Sequence, residues 1–498
     1  MSLIMNCLRA TALQHPQRVA FQNDSKTLSY GDLVVAIDET TRQLHDLKPR
    51  ALGLYADNSI AWALSDLSAL NANIPLVPLP LFFSSSQLTH VIFDAGLDAV
   101  LTDRPQQLLN LLKEAGIDCE SGTKLAGLDL IYLQNVAAKP LPADTLKITY
   151  TSGTTAEPKG VCLAADQIEA VAVSLRGACQ AFAEDRHLCL TPLSTLLENI
   201  GGIYVPLLAG AHICLPPLRN VGIFGAAELD AGQMINAMHT FDATSVILAP
   251  QMLHTMILAA KFGKAMPPHL RFVAVGGAPV SKSLLEQAAQ LGLPVYEGYG
   301  LSECASVVAL NTAEANRRGS VGKPLPHNIL SFAEDGEILL GNPGFLGYLG
   351  QDPPSQPWPT GDIGYLDVEG FLYLRGRKKN MFITSFGRNV APEWVETELN
   401  LHPAIAQVAV FGEARPFNAA VIVLRPGFSD KAVEAAIEET NRYLPDYARI
   451  SQWVAATKPF TADNGQLTSN GRLKRDAIKS AYSEAIDQFY EEQADGVF

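Results

Sequence analysis

The sequence predicts an α/β fold, with a large N-terminal domain of layered α/β subdomains and mostly parallel sheets, plus a small α+β C-terminal domain. The chain has 498 residues, a length that favours two or three domains over one. Short apolar strands alternate with helical patterns, which is typical of parallel strands joined by right-handed crossovers. After Gly350 the composition changes to a proline-rich polar stretch, and a second unit follows.

The elements of the first unit follow from local patterns of apolar residues. Strands are predicted at residues 146–150, 245–248 and 271–275 and from residue 294 onwards, and helices at residues 165–183 and from the second strand through residue 260. The helix after residue 280 has the clearest boundaries, because Ser281 suits its N-cap and Gly292 can adopt a left-handed conformation at its end. Its apolar face consists of Leu284, Leu285, Ala288 and Leu291.

A hairpin pattern at residues 365–373 and a basic cluster separate the two units. The cluster consists of Arg375, Arg377, Lys378 and Lys379. We place the boundary near Gly376, which divides the chain into residues 1–375 and residues 376–498. In the second unit, Pro392 suits the first turn of a helix that runs to residue 399. Strands at residues 407–411 and 419–424 and a helix at residues 430–442 are predicted after it.

Charge and cysteine content exclude several classes of protein. The formal net charge is −14 and the sequence pI is about 5.2, which argues against a nucleic-acid partner. The seven cysteines are odd in number and never spaced as CxxC, so we expect no disulfide framework and a reducing, cytoplasmic location. The N-terminus lacks the apolar core of a signal peptide. Residues 199–218 carry no full charge, but their glycines and prolines indicate a core segment and no integral membrane span.

The strongest chemical signal is the run YTSGTTAEPKGV at residues 150–161. Hydroxyl groups and glycines that directly follow a strand offer many N–H and O–H donors to phosphate oxygens, and Lys159 adds a cation. The GxxxxGK[ST] spacing of a Walker A loop is absent. Taken alone, the same composition also suits a solvated turn.

Four further segments follow this loop in a fixed order, and together they carry a resemblance. They are Gly276-Gly277-Ala278-Pro279, the run YEGYGLSE at residues 296–303, Thr360-Gly361-Asp362 and Gly376-Arg377-Lys378-Lys379. The set resembles the superfamily of acyl- and aryl-CoA synthetases, peptide-synthetase adenylation domains and luciferases. The segment after Lys379 is similar to fatty-acyl-CoA synthetases, and the likeness covers nearly the whole chain.

The resemblance implies an AMP-forming carboxylate–thiol ligase. ATP and Mg²⁺ would convert a small-molecule carboxylic acid to acyl-AMP with release of pyrophosphate, and CoA or a phosphopantetheine thiol would then take the acyl group. The phosphates would be held by Thr151, Ser152, Gly153, Thr154, Thr155, Lys159 and Ser302. The adenosine would be held by Gly277, Ala278, Pro279, Glu297, Tyr299, Asp362 and Arg377. Glu303 would bind Mg²⁺, Lys379 would be the hinge of a mobile lid domain, and Thr155, Glu303, Arg472 and Lys474 would act in catalysis.

The chain departs from the family pattern at several positions. Arg472 stands where family members carry a lysine that reaches the α-phosphate. Arginine keeps the charge but is wider and planar, so we expect it to act as an electrostatic substitute, with Lys474 two residues on as the alternative. The other departures are Ala156 in the phosphate loop, Asn380 and Phe386 near the hinge, and a threonine in the segment Thr191-Pro192-Leu193-Ser194-Thr195, where many members place a histidine or an aromatic residue.

The pocket for the acid is predicted around Leu193, Asn199, Ile200, Gly201 and Gly202, and these mostly apolar, small residues favour a fatty or aryl acid. Three functions remain open. The first is an acyl-CoA synthetase, and the second is a ligase that loads the phosphopantetheine of an acyl carrier protein. The third is an impaired protein that only binds a nucleotide or an acyl-adenylate, an alternative prompted by Arg472.

Overall fold

The structure is a computed structural model that describes residues 2–137, 139–151, 158–224, 228–342, 344–468 and 471–494. The strands in chain order are β1 Val19–Gln22, β2 Thr27–Ser29, β3 Leu52–Tyr55, β4 Leu76–Pro78, β5 Ala99–Thr102, β6 Cys119–Ser121, β7 Asp129–Leu133, β8 Lys147–Thr151, β9 Lys159–Leu163, β10 Arg186–Leu188, β11 His212–Cys214, β12 Ile223–Phe224, β13 Glu228–Leu229, β14 Ser245–Leu248, β15 Phe272–Val275, β16 Val295–Leu301, β17 Ser306–Leu310, β18 Lys323–Pro324, β19 Leu330–Phe332, β20 Glu337–Leu340, β21 Gly347–Tyr348, β22 Trp358–Leu366, β23 Leu372–Arg377, β24 Phe382–Ile383, β25 Asn389–Val390, β26 Ile405–Phe411, β27 Asn418–Leu424 and β28 Ile450–Ala455.

The α-helices in chain order are α1 Leu3–Gln14, α2 Tyr30–Leu47, α3 Ile60–Ala72, α4 Ser85–Ala95, α5 Pro105–Glu114, α6 Ala165–Ala178, α7 Leu196–Glu198, α8 Val205–Ala209, α9 Ala231–Thr240, α10 Pro250–Lys261, α11 Lys282–Gln290, α12 Pro392–Leu399, α13 Asp430–Asn441, α14 Arg475–Ala481 and α15 Ser483–Ala494. A π-helix spans Asn199–Tyr204, and 3₁₀ turns span Leu218–Val221, Ser302–Cys304 and Asp446–Ala448.

Two large mixed sheets organise the N-terminal part of the chain. One has the strand order β18-β17-β16-β15-β14-β10-β11-β1-β2, and its strands from β16 to β1 are parallel. The other has the order β21-β9-β8-β4-β3-β5-β7-β6 and is parallel from β8 to β5. Antiparallel strands lie at the edges of both sheets. The predicted α/β class with mostly parallel sheets is confirmed.

The predicted elements match the structure closely, with one clear error. Ser281 caps α11 by accepting a hydrogen bond from the Leu284 N–H, and Gly292 follows the helix at φ +69°. The helix predicted to reach residue 183 ends at Ala178, and that prediction is wrong by five positions. The reason is local, because Gln180 adopts a left-handed conformation at φ +48° and stops the helix.

The uncharged stretch at residues 199–218 is a core segment, as predicted. It forms the π-helix, α8 and β11, which lie largely in the protein interior. Among the described residues, no helix is both long and apolar enough to cross a membrane.

A buried polar cluster links β8 of one large sheet to α3 and the π-helix. Lys147 of β8 is 2 % exposed, and its Nζ lies 2.7 Å from Asp66 Oδ1 of α3 and 2.9 Å from the Tyr204 hydroxyl. The other oxygen of Asp66 accepts from Tyr204 at 2.6 Å and from Asn199 at 3.0 Å. Because these residues come from α3, β8 and the π-helix, the cluster fixes how the subdomains pack.

The C-terminal part builds its own cores around β26, β27 and β28. It also contacts the N-terminal part. The Ser281 hydroxyl donates to Glu398 Oε2 of α12 at 2.9 Å, and Leu401 packs against the core that contains β14 and β15. The proposed boundary near Gly376 falls inside β23, which pairs with β22, and stays a prediction.

Candidate active site

The carboxyl ends of β15 and β16 bring two of the predicted segments together. A Cβ on Gly276 would lie 3.0 Å from the carbonyl oxygen of Gly298, so the two backbones are in close contact. Gly277 is at φ +81°, and Gly277, Ala278 and Pro279 are exposed. Ligands of open α/β sheets bind outside the carboxyl ends of the strands, which is where these residues lie.

The turn after β16 holds Ser302 and Glu303 in a strained backbone. A Cβ on Gly300 would lie 1.6 Å from the Ser306 carbonyl oxygen, so only glycine fits there. Ala305 at φ +48° and Ser306 at φ +104° follow directly. Two successive positive φ values outside glycine cost free energy, and such strain concentrates at functional sites. The turn therefore presents Glu303 in a fixed place.

Tyr299, Asp362 and Arg377 form a connected chain. The Tyr299 hydroxyl donates to Asp362 Oδ2 at 2.6 Å, and Arg377 Nε lies 2.8 Å from Asp362 Oδ1. Burial raises the pKa of Asp362, while the charge of Arg377, the Tyr299 hydroxyl and the charge of Arg472 oppose that rise. The predicted adenine and ribose residues are thus brought together from β16, β22 and β23.

Arg472 reaches this chain from the C-terminal domain. Arg472 is exposed to solvent, yet partial desolvation and nearby Arg377 lower its pKa, whereas Asp362 and Glu303 oppose the shift. Burial, Arg377 and Arg472 likewise lower the pKa of Lys379. The charge of Arg472 acts on Asp362. The backbone N–H of Lys474 bonds to the Gln466 carbonyl at the start of α14.

The structure describes only the two ends of the predicted phosphate loop. Thr151 and Lys159 are paired across β8 and β9, so both ends of the loop are adjacent. Ser152, Gly153, Thr154 and Thr155, together with Ala156, lie outside the described residues. Lys159 Nζ lies 5.3 Å from the ring centroid of Tyr348, whose hydroxyl donates to Glu303 Oε1 at 2.7 Å. Sequence analysis missed Tyr348, because it belongs to none of the motifs that we identified.

Glu303 fits the role of a ligand to Mg²⁺. A carboxylate oxygen is a hard ligand, and Mg²⁺ is usually bound through one or two carboxylates plus substrate phosphates. Within the described ranges, one group of three metal-ligating side chains lies close enough together to share an ion. It consists of His187, Cys189 and Glu198, which are buried and do not include Glu303. The carboxylate of Glu303 is therefore suited to bind a magnesium ion that arrives together with the triphosphate.

The predicted acid-binding segment is anchored by buried polar bonds. His187 Nε2 lies 3.0 Å from Glu198 Oε1, and Glu198 Oε2 accepts from the Thr191 backbone N–H at 3.0 Å. Asn58 bonds to the backbone of Leu193 and Thr191. The surrounding side chains are apolar, and a Cβ on Gly201 would lie 2.8 Å from Ile247 Cδ1. The His187–Cys189–Glu198 group is therefore accounted for by internal hydrogen bonding.

Glu297 of β16 is buried. It lines a cavity of about 270 Å³ together with Leu285, Val295 and Asn311, and burial raises its pKa to about 8. Because the folded state prefers the protonated acid, this group stabilises the fold below its unfolded pKa near 4.5, and that contribution is lost as the pH rises towards 8.

Glu297→Gln should therefore remove a pH dependence. We expect the thermal midpoint of the variant to exceed that of the wild type by a margin that grows from pH 5.5 to 8 and then levels. The slope is at most about 1.4 kcal/mol per pH unit for one proton. Calorimetry across this range measures it, and Glu286→Gln on the exposed face of α11 is the control. A margin that stays constant with pH would contradict the assignment.

Comparison with known sequences decides the family. The model of the family described as AMP-binding enzyme matches residues 8–349. The chain belongs to the AMP-binding enzyme family. A second model, for the C-terminal domain of AMP-binding enzymes, matches residues 379–494. The predicted superfamily and enzyme class are confirmed, and the chain is an AMP-forming ligase that activates a carboxylic acid as its acyl-adenylate before transfer to a thiol.

Relatives of this AMP-binding enzyme include a long-chain-fatty-acid–CoA ligase of Mycobacterium bovis, which is 26% identical over 526 aligned positions that cover 88% of each chain. An anthranilate CoA ligase in complex with anthranoyl-AMP shares the fold at a TM-score of 0.80, with 18% identity and 97% of both chains covered. The o-succinylbenzoate coenzyme A synthetase of Bacillus subtilis in complex with ATP and magnesium has a TM-score of 0.75 and 22% identity, covering 95% of this chain and 99% of that one.

Proposed function

We propose that this AMP-binding enzyme uses ATP and Mg²⁺ to activate an apolar fatty or aryl carboxylic acid and then transfers the acyl group to CoA. The observation that carries the proposal is the connected chain of Tyr299, Asp362 and Arg377, on whose carboxylate the charge of Arg472 also acts. These residues come from three separate strands and from the C-terminal domain. Such an arrangement suits a nucleoside with an anionic tail.

In the first step, a carboxylate oxygen attacks the α-phosphate and pyrophosphate leaves. Both reactants are anions, so the protein acts mainly by positioning them and neutralising charge. Asp362 accepts hydrogen bonds from the ribose hydroxyls, Tyr299 packs against adenine, and Lys159 and Arg472 supply positive charge. Glu303 holds Mg²⁺, which neutralises the phosphate charge when it is bound.

In the second step, a thiol attacks the acyl-adenylate and AMP leaves. The C-terminal domain, residues 376–498, turns about Lys379 between the two steps. Two features support this motion. Lys379 ends the basic cluster, and burial, Arg377 and Arg472 all disfavour its charge by lowering its pKa. Beyond the hinge region, the side-chain hydrogen bond from Ser281 to Glu398 at the N-terminus of α11 joins the two domains.

The class of acid follows from the segment around the π-helix. Leu193 and Ile200 are buried, and Gly201 packs closely against Ile247. The two described carboxylates that contact this segment already have partners, because Glu198 is bonded to His187 and Thr191. Asp66 is bonded to Lys147, Asn199 and Tyr204. Each methylene buried against such walls contributes about 0.8 kcal/mol. A fatty or aryl acid therefore suits the site better than an amino acid. All seven cysteines are free thiols, which supports a reducing, cytoplasmic location.

A pyrophosphate-release assay over a panel of fatty, aryl and amino acids tests the proposal. We expect release with apolar acids and formation of a CoA thioester when CoA is added. Product formation with a holo acyl carrier protein in place of CoA would assign phosphopantetheine as the acceptor. ATP binding without release for any acid would overturn the enzymatic proposal in favour of a binding protein.

Arg472→Ala should slow the first step by roughly 100-fold, the usual effect of removing one electrostatic contact to a developing charge. Lys474→Ala is the matched control, and we expect it to retain near wild-type pyrophosphate release. The opposite ranking would transfer the role to Lys474. Arg472→Lys adds a further readout, because a faster first step with lysine would identify arginine as a compromise at this position.

A further inference from the structure

The short strand β21 links two parts of the nucleotide site. Its backbone pairs with β9, with Tyr348 opposite Val161 and Gly347 opposite Cys162. The flanking residues Leu346 and Leu349 extend the pairing through hydrogen bonds of 2.8 Å to the carbonyls of Cys162 and Gly160. Tyr348 is therefore held directly beside the strand that begins with Lys159.

The same segment is packed against the turn that carries Glu303. A Cβ on Gly344 would lie 3.3 Å from the backbone of Cys304, which follows Glu303. Phe345 is buried and meets the Tyr348 ring edge-on at 5.3 Å and the Trp358 ring at 5.4 Å. These contacts restrict the position of the Tyr348 ring.

Tyr348 makes contacts through both its hydroxyl group and its aromatic ring. Its hydroxyl donates to Glu303 Oε1 at 2.7 Å, a charge-assisted bond that leaves the other oxygen of the carboxylate for another ligand. The face of its ring lies 5.3 Å from Lys159 Nζ, within the range of a cation–π contact. Burial and the charge of Glu303 both raise the pKa of Tyr348, so the hydroxyl stays a donor.

We propose that Tyr348 is a positioning residue for adenylation, whose hydroxyl orients Glu303 towards Mg²⁺ and whose ring orients Lys159 towards the phosphates. The inference rests on the proposed role of Glu303 as the metal ligand. Partners that orient a metal ligand typically change metal affinity 10- to 100-fold when they are removed. One side chain would thus set the direction of both the carboxylate and the cation.

Manganese binding gives a readout that does not depend on turnover. Mn²⁺ serves as the probe, and its free concentration is followed by electron paramagnetic resonance in the presence of α,β-methylene-ATP. We expect Tyr348→Phe to weaken Mn²⁺ binding about 10-fold, because the hydroxyl is lost and the ring remains. Binding of the nucleotide in EDTA should be unchanged in this variant. Tyr348→Leu should weaken both, since Lys159 also loses the aromatic face.

Two further variants make the assignment specific. Tyr365→Phe removes a hydroxyl from an exposed tyrosine that stacks on Tyr373, and it should behave as the wild type. In a Glu303→Gln background, Tyr348→Phe should add little, because the hydroxyl acts through the carboxylate. Thermal midpoints show whether each variant is folded. If Tyr348→Leu does not fold, the result for Tyr348→Phe decides the test.

Wild-type affinity for Mn²⁺ in Tyr348→Phe, or full additivity with Glu303→Gln, would overturn the inference. Either result leaves the proposed function intact as long as the wild type releases pyrophosphate. Failure of the wild type to bind Mn²⁺ together with the nucleotide would instead overturn the nucleotide site itself.

Discussion

Asp362→Asn should reduce kcat/KM for ATP in pyrophosphate release by about 100-fold. The carboxylate is buried and binds Tyr299 and Arg377 at the same time. A hydrogen bond to a charged group contributes about 1.5–3 kcal/mol, and each 1.36 kcal/mol corresponds to a tenfold change. The neutral amide also removes a negative charge that acts on both Arg377 and Arg472. Repulsion between these two arginines is then less compensated, even before ATP binds.

Asp367→Asn is the matched control for this change. Asp367 follows β22 in the same hairpin and pairs with Arg317 at 2.7 Å, away from the cleft. We expect its kinetics to stay within a factor of about two of the wild type, because ion pairs near the surface contribute little. Equal losses in both variants would show that the first effect comes from the hairpin and not from the nucleotide site.

Lys147→Met should lower the free energy of unfolding by about 3–5 kcal/mol, because it leaves the buried carboxylate of Asp66 without its cation. Lys147 and Asp66 are both nearly inaccessible to solvent, so water cannot replace the lost partner. Burial lowers the pKa of Lys147 and the charge of Asp66 opposes the shift, which shows how far the two charges depend on each other. Urea unfolding measures the change through the midpoint at constant slope.

The double variant Lys147→Met, Asp66→Leu should recover part of this loss, since an apolar pair avoids the unpaired charge. Lys124→Met is the control. Lys124 lies 3.6 Å from Asp129 in an exposed pair, whose loss should change the free energy by less than about 1 kcal/mol. A Lys147 variant as stable as the Lys124 variant would contradict the importance of the buried cluster.

Sequence patterns predicted most of the parallel core because they are local. The cap at Ser281, the apolar face of α11 and the glycine after it are all within twelve residues, so the helix could be placed without knowledge of its neighbours. The order of the nucleotide-binding motifs along the chain could also be identified from the sequence alone. The structure adds that Asp362 meets Tyr299 and Arg377 directly, a contact between residues 63 positions apart that no local pattern encodes.

Other features depend on tertiary contacts and could not be predicted. Lys147 lies in a strand where a charged residue would ordinarily face solvent, and only its pairing with Asp66, 81 positions away, explains its burial. The π-helix at Asn199–Tyr204 has a hydrophobic sequence that reads equally well as an α-helix. Tyr348 belongs to a two-residue strand, too short for a periodic signal, and its role depends on Glu303 and Lys159 being close by.

Ser281 performs two tasks with one oxygen atom. Its lone pair accepts the Leu284 N–H that starts α11, and its proton goes to Glu398 across the domain boundary. Because the cap does not need that proton, the domains can part without fraying the helix, and water can take the place of the carboxylate. A hydrogen bond to a carboxylate contributes about 1.5–3 kcal/mol, which corresponds to a change of about 10- to 200-fold in the population of the joined state. The proposed rotation of the C-terminal domain therefore requires no unfolding of α11.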